Sequence, residues 1–261
     1  MASKKALPIS GTMTVMVIVV VLVPSALLLD QTVEFKKTFM KKCKEFPEEE
    51  AICEAKFEIF VRAYVGKKET DVTEDSYNEL FDNTPFKHPC EKTMFWSGTH
   101  DLATRFTKKR DDFFSVGDTL LGHVLDGLYW CGKEGTKGTF INDCVGDDPN
   151  PVLSFWVKMS VKFAEYTCDD TYVMLDGETE QPFFPGTAFE EDEIPYLKSS
   201  TVKSLTVILV VNEKTGTKCN NESLKNLNNI MKGKNIGYAC KEVTKAHIEK
   251  CIKEGKGNIF E

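Results

Sequence analysis

Trp96, Trp156 and Glu193 stand far apart in the chain, and their types could do chemistry together. An indole offers a broad face on which a flat base stacks for about 1–3 kcal/mol, and a cationic ring is attracted further. A glutamate beside a developing positive charge stabilises it, as glycosidase carboxylates do for a sugar cation. Glu193 lies in Phe189-Glu-Glu-Asp-Glu-Ile-Pro-Tyr-Leu197. Pro195 restricts Ile194 to an extended conformation, which predicts a fixed loop that aims the side chain. Ser160 follows Trp156 by four residues and shares its face of a helix. Trp130, which precedes Cys131 and ends an apolar stripe, is assigned to the core instead.

The elements that must position these residues change character along the chain. Glu34–Cys43 and Glu49–Tyr64 carry apolar residues at helical spacing. Asp71-Val-Thr-Glu-Asp75 offers a start for a helix over Ser76–Phe81. Asp118–Trp130 reads as one helix with the stripe Leu120, Leu121, Val124 and Leu128, and Gly132–Asp148 reads as a loop. Val152–Ala164 reads as a helix, Thr171–Leu175 and Ser204–Val211 are short apolar runs typical of buried strands, and Glu222–Met231 is a helix between the latter and Ile236–Cys240. Strands alternating with helices imply a parallel sheet, to which Thr93–Trp96 adds an extra strand. The reading is α+β: a mainly helical half over 30–147 and an α/β half with a small parallel sheet over 148–261.

Composition narrows the setting. The 261 residues have a net charge of −7 and no Lys/Arg-rich stripe, which argues against nucleic-acid binding. Met13–Leu29 is apolar except for Thr14, Pro24 and Ser25, and at roughly 17 residues it reaches the lower limit for a spanning helix. Lys4 and Lys5 before it favour a cytoplasmic tail over 1–10, a signal anchor over 11–29 and a type II protein with an extracellular or lumenal body. The alternative is a cleaved signal peptide and secretion. Nine cysteines fit an oxidising compartment as disulfides, although their spacing leaves the pairing open. Asn221-Glu-Ser223 is a glycosylation sequon. No CxxC or cysteine–histidine pairing suggests a metal site, and no Gly-x-Ser-x-Gly elbow is present. Gly132–Gly138 matches neither glycine fingerprint for phosphates.

The ordered set Thr93-Met-Phe-Trp-Ser97, Asp118-Thr-Leu-Leu-Gly122, Leu128-Tyr-Trp-Cys-Gly132, Pro151-Val-Leu-Ser-Phe-Trp156 and Phe189–Leu197 resembles the ADP-ribosyl cyclase / NAD glycohydrolase family from about Cys43 to Cys251. The resemblance implies a disulfide-stabilised fold with its site in the cleft between the halves. It implies cleavage of the nicotinamide–ribose bond of NAD, giving nicotinamide with ADP-ribose, cyclic ADP-ribose or both, and base exchange with NADP. NAD is then a substrate and no cofactor is needed. Glu193 takes the catalytic role, Trp96 and Trp156 are aromatic walls, Ser160 bonds the nucleotide near the ribose, Asp126 touches the nicotinamide end, and Phe189 and Ser97 contact substrate. The implied disulfides are Cys43–Cys53, Cys90–Cys168, Cys131–Cys144 and Cys219–Cys240, with Cys251 left over. A further family disulfide is missing at both ends, at Thr70 and within Gly146–Asn150. Gly117 stands where many relatives have Glu, Gly98 where some have a basic residue, and Ala188 where they have Thr or a bulky aromatic. A homodimer is compatible with this reading. The rival is a non-catalytic, disulfide-rich surface protein that keeps the fold for adhesion or signalling.

Overall fold

The computed structural model describes residues 31–146, 148–212 and 216–260. The expected tail and anchor over 1–29 lie outside the described residues. Among those described, no helix is long and apolar enough to cross a membrane.

Helix α1 (residues 31–43) runs into a 3-10 turn, Pro47–Ile52, and then α2 (Cys53–Arg62). The single helix expected over Glu49–Tyr64 is thus divided, with Pro47 opening the tighter turn. Helix α3 (Asn78–Asp82) is likewise led by a 3-10 turn, Glu74–Tyr77, capped by Thr73 and Ser76. Strand β1 (Met94–Ser97) is followed directly by α4 (His100–Thr107). Helix α5 is shorter than expected, spanning Leu120–Leu125 rather than Asp118–Trp130. Asp126 leaves helical geometry at ψ 130° and Gly127 turns left-handed at φ 68°, which ends the helix. Then come α6 (Pro151–Tyr166), β2 (Asp169–Asp176), β3 (Val202–Val211), α7 (Glu222–Gly233), β4 (Gly237–Thr244) and α8 (Lys245–Glu254).

The four strands form one parallel sheet in the order β1-β2-β3-β4, with Trp96 beside Met174. Alternation along each strand sends neighbouring residues to opposite faces. Phe95, Val173, Leu205 and Val207 pack with α6 and α7 through Phe163, Leu224 and Leu227. Met94, Met174 and Ile208 pack with α4 and α8 through Ala103, Phe106 and Ile248. With both faces covered, β3 has no polar side, which is why Val207–Val211 is continuously apolar.

A separate core joins α1, α2, α3 and α5 around Trp130, and it takes Phe155 and Met159 from α6. Trp130 is fully buried, and its Nε1 donates to Tyr77 Oη at 3.0 Å. Helix α6 therefore serves both cores. Four disulfides close the fold in the pairing that the resemblance implies. Cys251 is free and buried under the C-terminal segment, 3.6 Å from His247 Nε2.

Candidate active site

Helix α6 supplies one wall. Asn150 caps it by accepting from Leu153 N, and Pro151 fills the first position, where a missing N–H costs nothing. Phe155, Met159 and Phe163 anchor the helix inward, which leaves Trp156 half-buried and Ser160 one turn further on. Facing Ser160 is a wide π-type turn, Phe189–Glu193. Such turns are rare and concentrate at functional sites. Ser160 Oγ donates to Glu193 Oε1 at 3.1 Å, while Oε2 is buried without a hydrogen-bond partner. Ile194 is helical at φ −53° and ψ −43°, not extended as Pro195 predicts from sequence. The chain tightens into a 3-10 turn, Ile194–Tyr196, with Pro195 near its start, so two successive turns rather than an extended loop fix Glu193.

Burial pushes the Glu193 carboxyl up to about 8; the Ser160 hydrogen bond opposes the shift and neighbouring Asp192 adds to it. The free site therefore holds a largely neutral acid at pH 7. A cation arriving beside it favours the charged form and draws the proton off.

The π-type turn reaches β1 through rings, with Phe189 and Phe95 centroids 5.8 Å apart. Phe189 is only 1% exposed and packs on Phe183 as well, so its side chain belongs to the core. Trp96, next to Phe95, is half-buried at the end of β1, with Ser97 after it. The His100 ring lies 4.6 Å from the Trp96 ring, and His100 Nε2 is 3.9 Å from Asp126 Oδ1. His100 escapes sequence reasoning because the turn at Gly98 and Thr99, not a shared helix, brings it back over Trp96. Trp156 meets the helical core edge-on through Phe155 at 5.2 Å. The candidates thus fall into two groups, Ser160 hydrogen-bonded to Glu193, and Trp96 with Asp126 approached by His100 between them, while Trp156 stands one helical turn from Ser160.

The glycine departures have different physical bases. Gly98 is left-handed at φ 73°, and a Cβ there would sit 3.1 Å from Asp176 Cβ, so a side chain at 98 is strained. Gly117 has room: a Cβ would meet Ser115 Oγ at 3.5 Å and Thr104 Cγ2 at 3.7 Å. An open groove of about 1150 Å³ runs from Trp96 along the C-terminal ends of the strands, past Asp176 and Val211 to Thr244 and Glu249. That edge of a parallel sheet is where ligands bind. Another cavity, about 340 Å³, lies behind the Asp118–Leu121 turn and carries none of the candidate residues. Among the described residues, the groups dense enough in Cys and Glu to suggest a metal, such as Glu69 with Cys131 and Cys144, use disulfide-bonded sulfurs. Asn221 caps α7, and its Nδ2 donates to Glu180 O.

The ADP-ribosyl cyclase family profile matches residues 32–258. The mouse protein "ADP-ribosyl cyclase/cyclic ADP-ribose hydrolase 1" is 29% identical over 254 residues, covering 91% of this chain and 84% of its own length. A porcine CD38 structure with a covalent intermediate superposes with a TM-score of 0.76 at 29% identity, covering 82% of this chain and 98% of that one. An Aplysia cyclase structure with substrate NGD and product cGDPR gives 0.74 at 26% identity, over 86% and 94%.

Proposed function

The chain belongs to the ADP-ribosyl cyclase family, and from that premise we propose that Glu193 is the carboxylate with which it breaks the nicotinamide–ribose bond of NAD. The enzyme releases nicotinamide and gives ADP-ribose, cyclic ADP-ribose or both. Nicotinamide begins as a cationic ring and leaves neutral, so its departure needs no general acid. What must be supplied is a hold on the ring and a negative charge beside the ribosyl cation.

The observation that carries the site assignment is the buried Glu193 carboxyl held by Ser160, one helical turn from Trp156. Ser160 fixes Oε1, and the buried Oε2 has no hydrogen-bond partner of its own, which leaves it available to the reacting sugar. Trp96 and Trp156 stack the flat rings, Asp126 and Ser97 border the nucleotide, and Phe189 contributes main chain. Water capture of the cleaved intermediate gives the linear product; capture by the substrate's adenine gives the cyclic one. NADP is a second substrate, open to base exchange.

Residues 11–29 are assigned as a signal anchor and the body as extracellular or lumenal, on the apolar run, Lys4 and Lys5, and four disulfides. A glycan on Asn221 would leave one Nδ2 hydrogen for Glu180 O. Incubating the purified chain with NAD and separating the products tests the activity. Free nicotinamide is expected, and none at high enzyme concentration would favour the non-catalytic surface protein.

A further inference from the structure

We propose that His100 is a positioning residue that tunes the site's affinity for cationic nucleotides, latching Trp96 to Asp126 across the mouth of the site when its imidazole is charged and releasing them when it is neutral. This rests on the reading of the site as one for a pyridinium dinucleotide.

The latch joins separate layers of the fold. Trp96 lies in β1, His100 opens α4, and Asp126 caps the C-terminal end of α5. Both anchor points are fixed by main-chain contacts. Thr99 Oγ1 donates to Met174 O at 2.7 Å, pinning the turn that carries His100. The Asp126 carbonyl accepts from Lys42 Nζ at 2.6 Å. Between them the His100 ring lies 4.6 Å from the indole, tilted by 49°, with Nε2 3.9 Å from Asp126 Oδ1. Their side chains are 49% and 50% exposed, so a ligand can reach and displace them.

A charged imidazole gains from both neighbours, through the negative face of the indole and the Asp126 carboxylate. The other charged groups of the groove mostly agree. Arg105 is held by Asp101 and Glu249. Asp176 at the end of β2 and Glu178 just after it add negative charge, which Lys245 at the start of α8 opposes. A pyridinium ring that stacks on Trp96 must displace the imidazolium, a like charge on the same aromatic face. A neutral imidazole has only its packing to lose. Of the side chains, histidine is the one whose charge responds to pH near neutrality, so the competition depends on pH. With both partners half exposed, the effect on affinity is roughly tenfold.

Two readouts on the full-length chain test this. Without nucleotide, tryptophan fluorescence should fall on acidification, because a protonated imidazole quenches an adjacent indole. His100→Gln and Trp96→Phe should each remove that transition. In steady state, KM for NAD at acid pH relative to alkaline pH should be about tenfold higher in the parent than in His100→Gln, with kcat following one profile in both. A fluorescence transition that survives His100→Gln, or a KM profile unchanged by it, overturns the latch. The fluorescence test needs no turnover, so a chain that titrates as expected yet never cleaves NAD defeats the functional reading rather than the latch.

Discussion

Replacing Glu193 by glutamine should disable the enzyme and stabilise its fold, and the stabilisation should grow with pH. The native carboxyl is pushed from an ordinary 4.5 up to about 8 by burial, against the Ser160 hydrogen bond. In the unfolded chain it ionises near 4.5. Between these values the unfolded state binds fewer protons than the native state, so stability falls as pH rises through the window. The protonated acid's contribution is complete below about 4.5 and is lost by about 8. At about 1.4 kcal/mol per pH unit, the window sets an upper bound of roughly 5 kcal/mol, reduced in practice to a few by local relaxation around the charge. Glutamine keeps the shape and an acceptor for Ser160 Oγ but cannot ionise. Urea unfolding at pH 5 and pH 8.5 with disulfides intact measures the effect. The advantage of Glu193→Gln should be small at pH 5 and a few kcal/mol at pH 8.5. Turnover of NAD should fall at least about 10²-fold, the loss typical of removing one such electrostatic contact. An equal advantage at both pH values would show that Glu193 is not desolvated in the native fold. Near-normal turnover would move the catalytic role to Glu190 or Glu191.

Trp130→Ala should cost about 3–5 kcal/mol of stability, since the ring is fully buried. Trp96→Ala and Trp156→Ala should melt close to the parent while lowering kcat/KM for NAD by about 5- to 150-fold, the equivalent of one lost stack; aggregation of those two beside a stable Trp130→Ala would reverse the assignment of wall and core. Non-reducing peptide mapping should return the four disulfides. Cys251, only 3% exposed, should resist alkylation until the chain unfolds, and a crosslink from it to a second chain would contradict its burial. Gly117→Glu, which the backbone has room to accept, should lower the cyclic-to-linear product ratio by filling space at the nicotinamide end. An unchanged or higher ratio would mean that position 117 does not face the nucleotide.

The parallel sheet was legible because its signal is local. A strand buried on both faces must be apolar, and Val207–Val211 says so without reference to its partners. The same holds for α6, whose cap, proline and apolar face lie within a few residues of one another. Trp130 was assignable to the core because its neighbours along the chain already formed a stripe. The errors arose where a distant contact or a single φ overrode the local pattern. The Asp118–Trp130 periodicity runs past Gly127, but the chain leaves the helix there. The residue before Pro195 is biased to extended backbone, but two successive turns hold it helical.

By itself, the sequence determined the kinds of chemical group available and the elements that carry them: aromatic faces, a carboxylate, a helix with Trp156 and Ser160 on one side, and buried parallel strands. Those properties follow from side-chain type and short-range periodicity. The tertiary structure decided what each group becomes. Glu190, Glu191 and Glu193 are the same residue type within one acidic run, but only Glu193 is turned inward, onto Ser160 and out of water. Likewise, His100 bears on Trp96 and Asp126 only because a left-handed glycine reverses the chain after β1. Burial and through-space distance shift a proton equilibrium or form a latch, and neither quantity exists until elements far apart in the chain have packed.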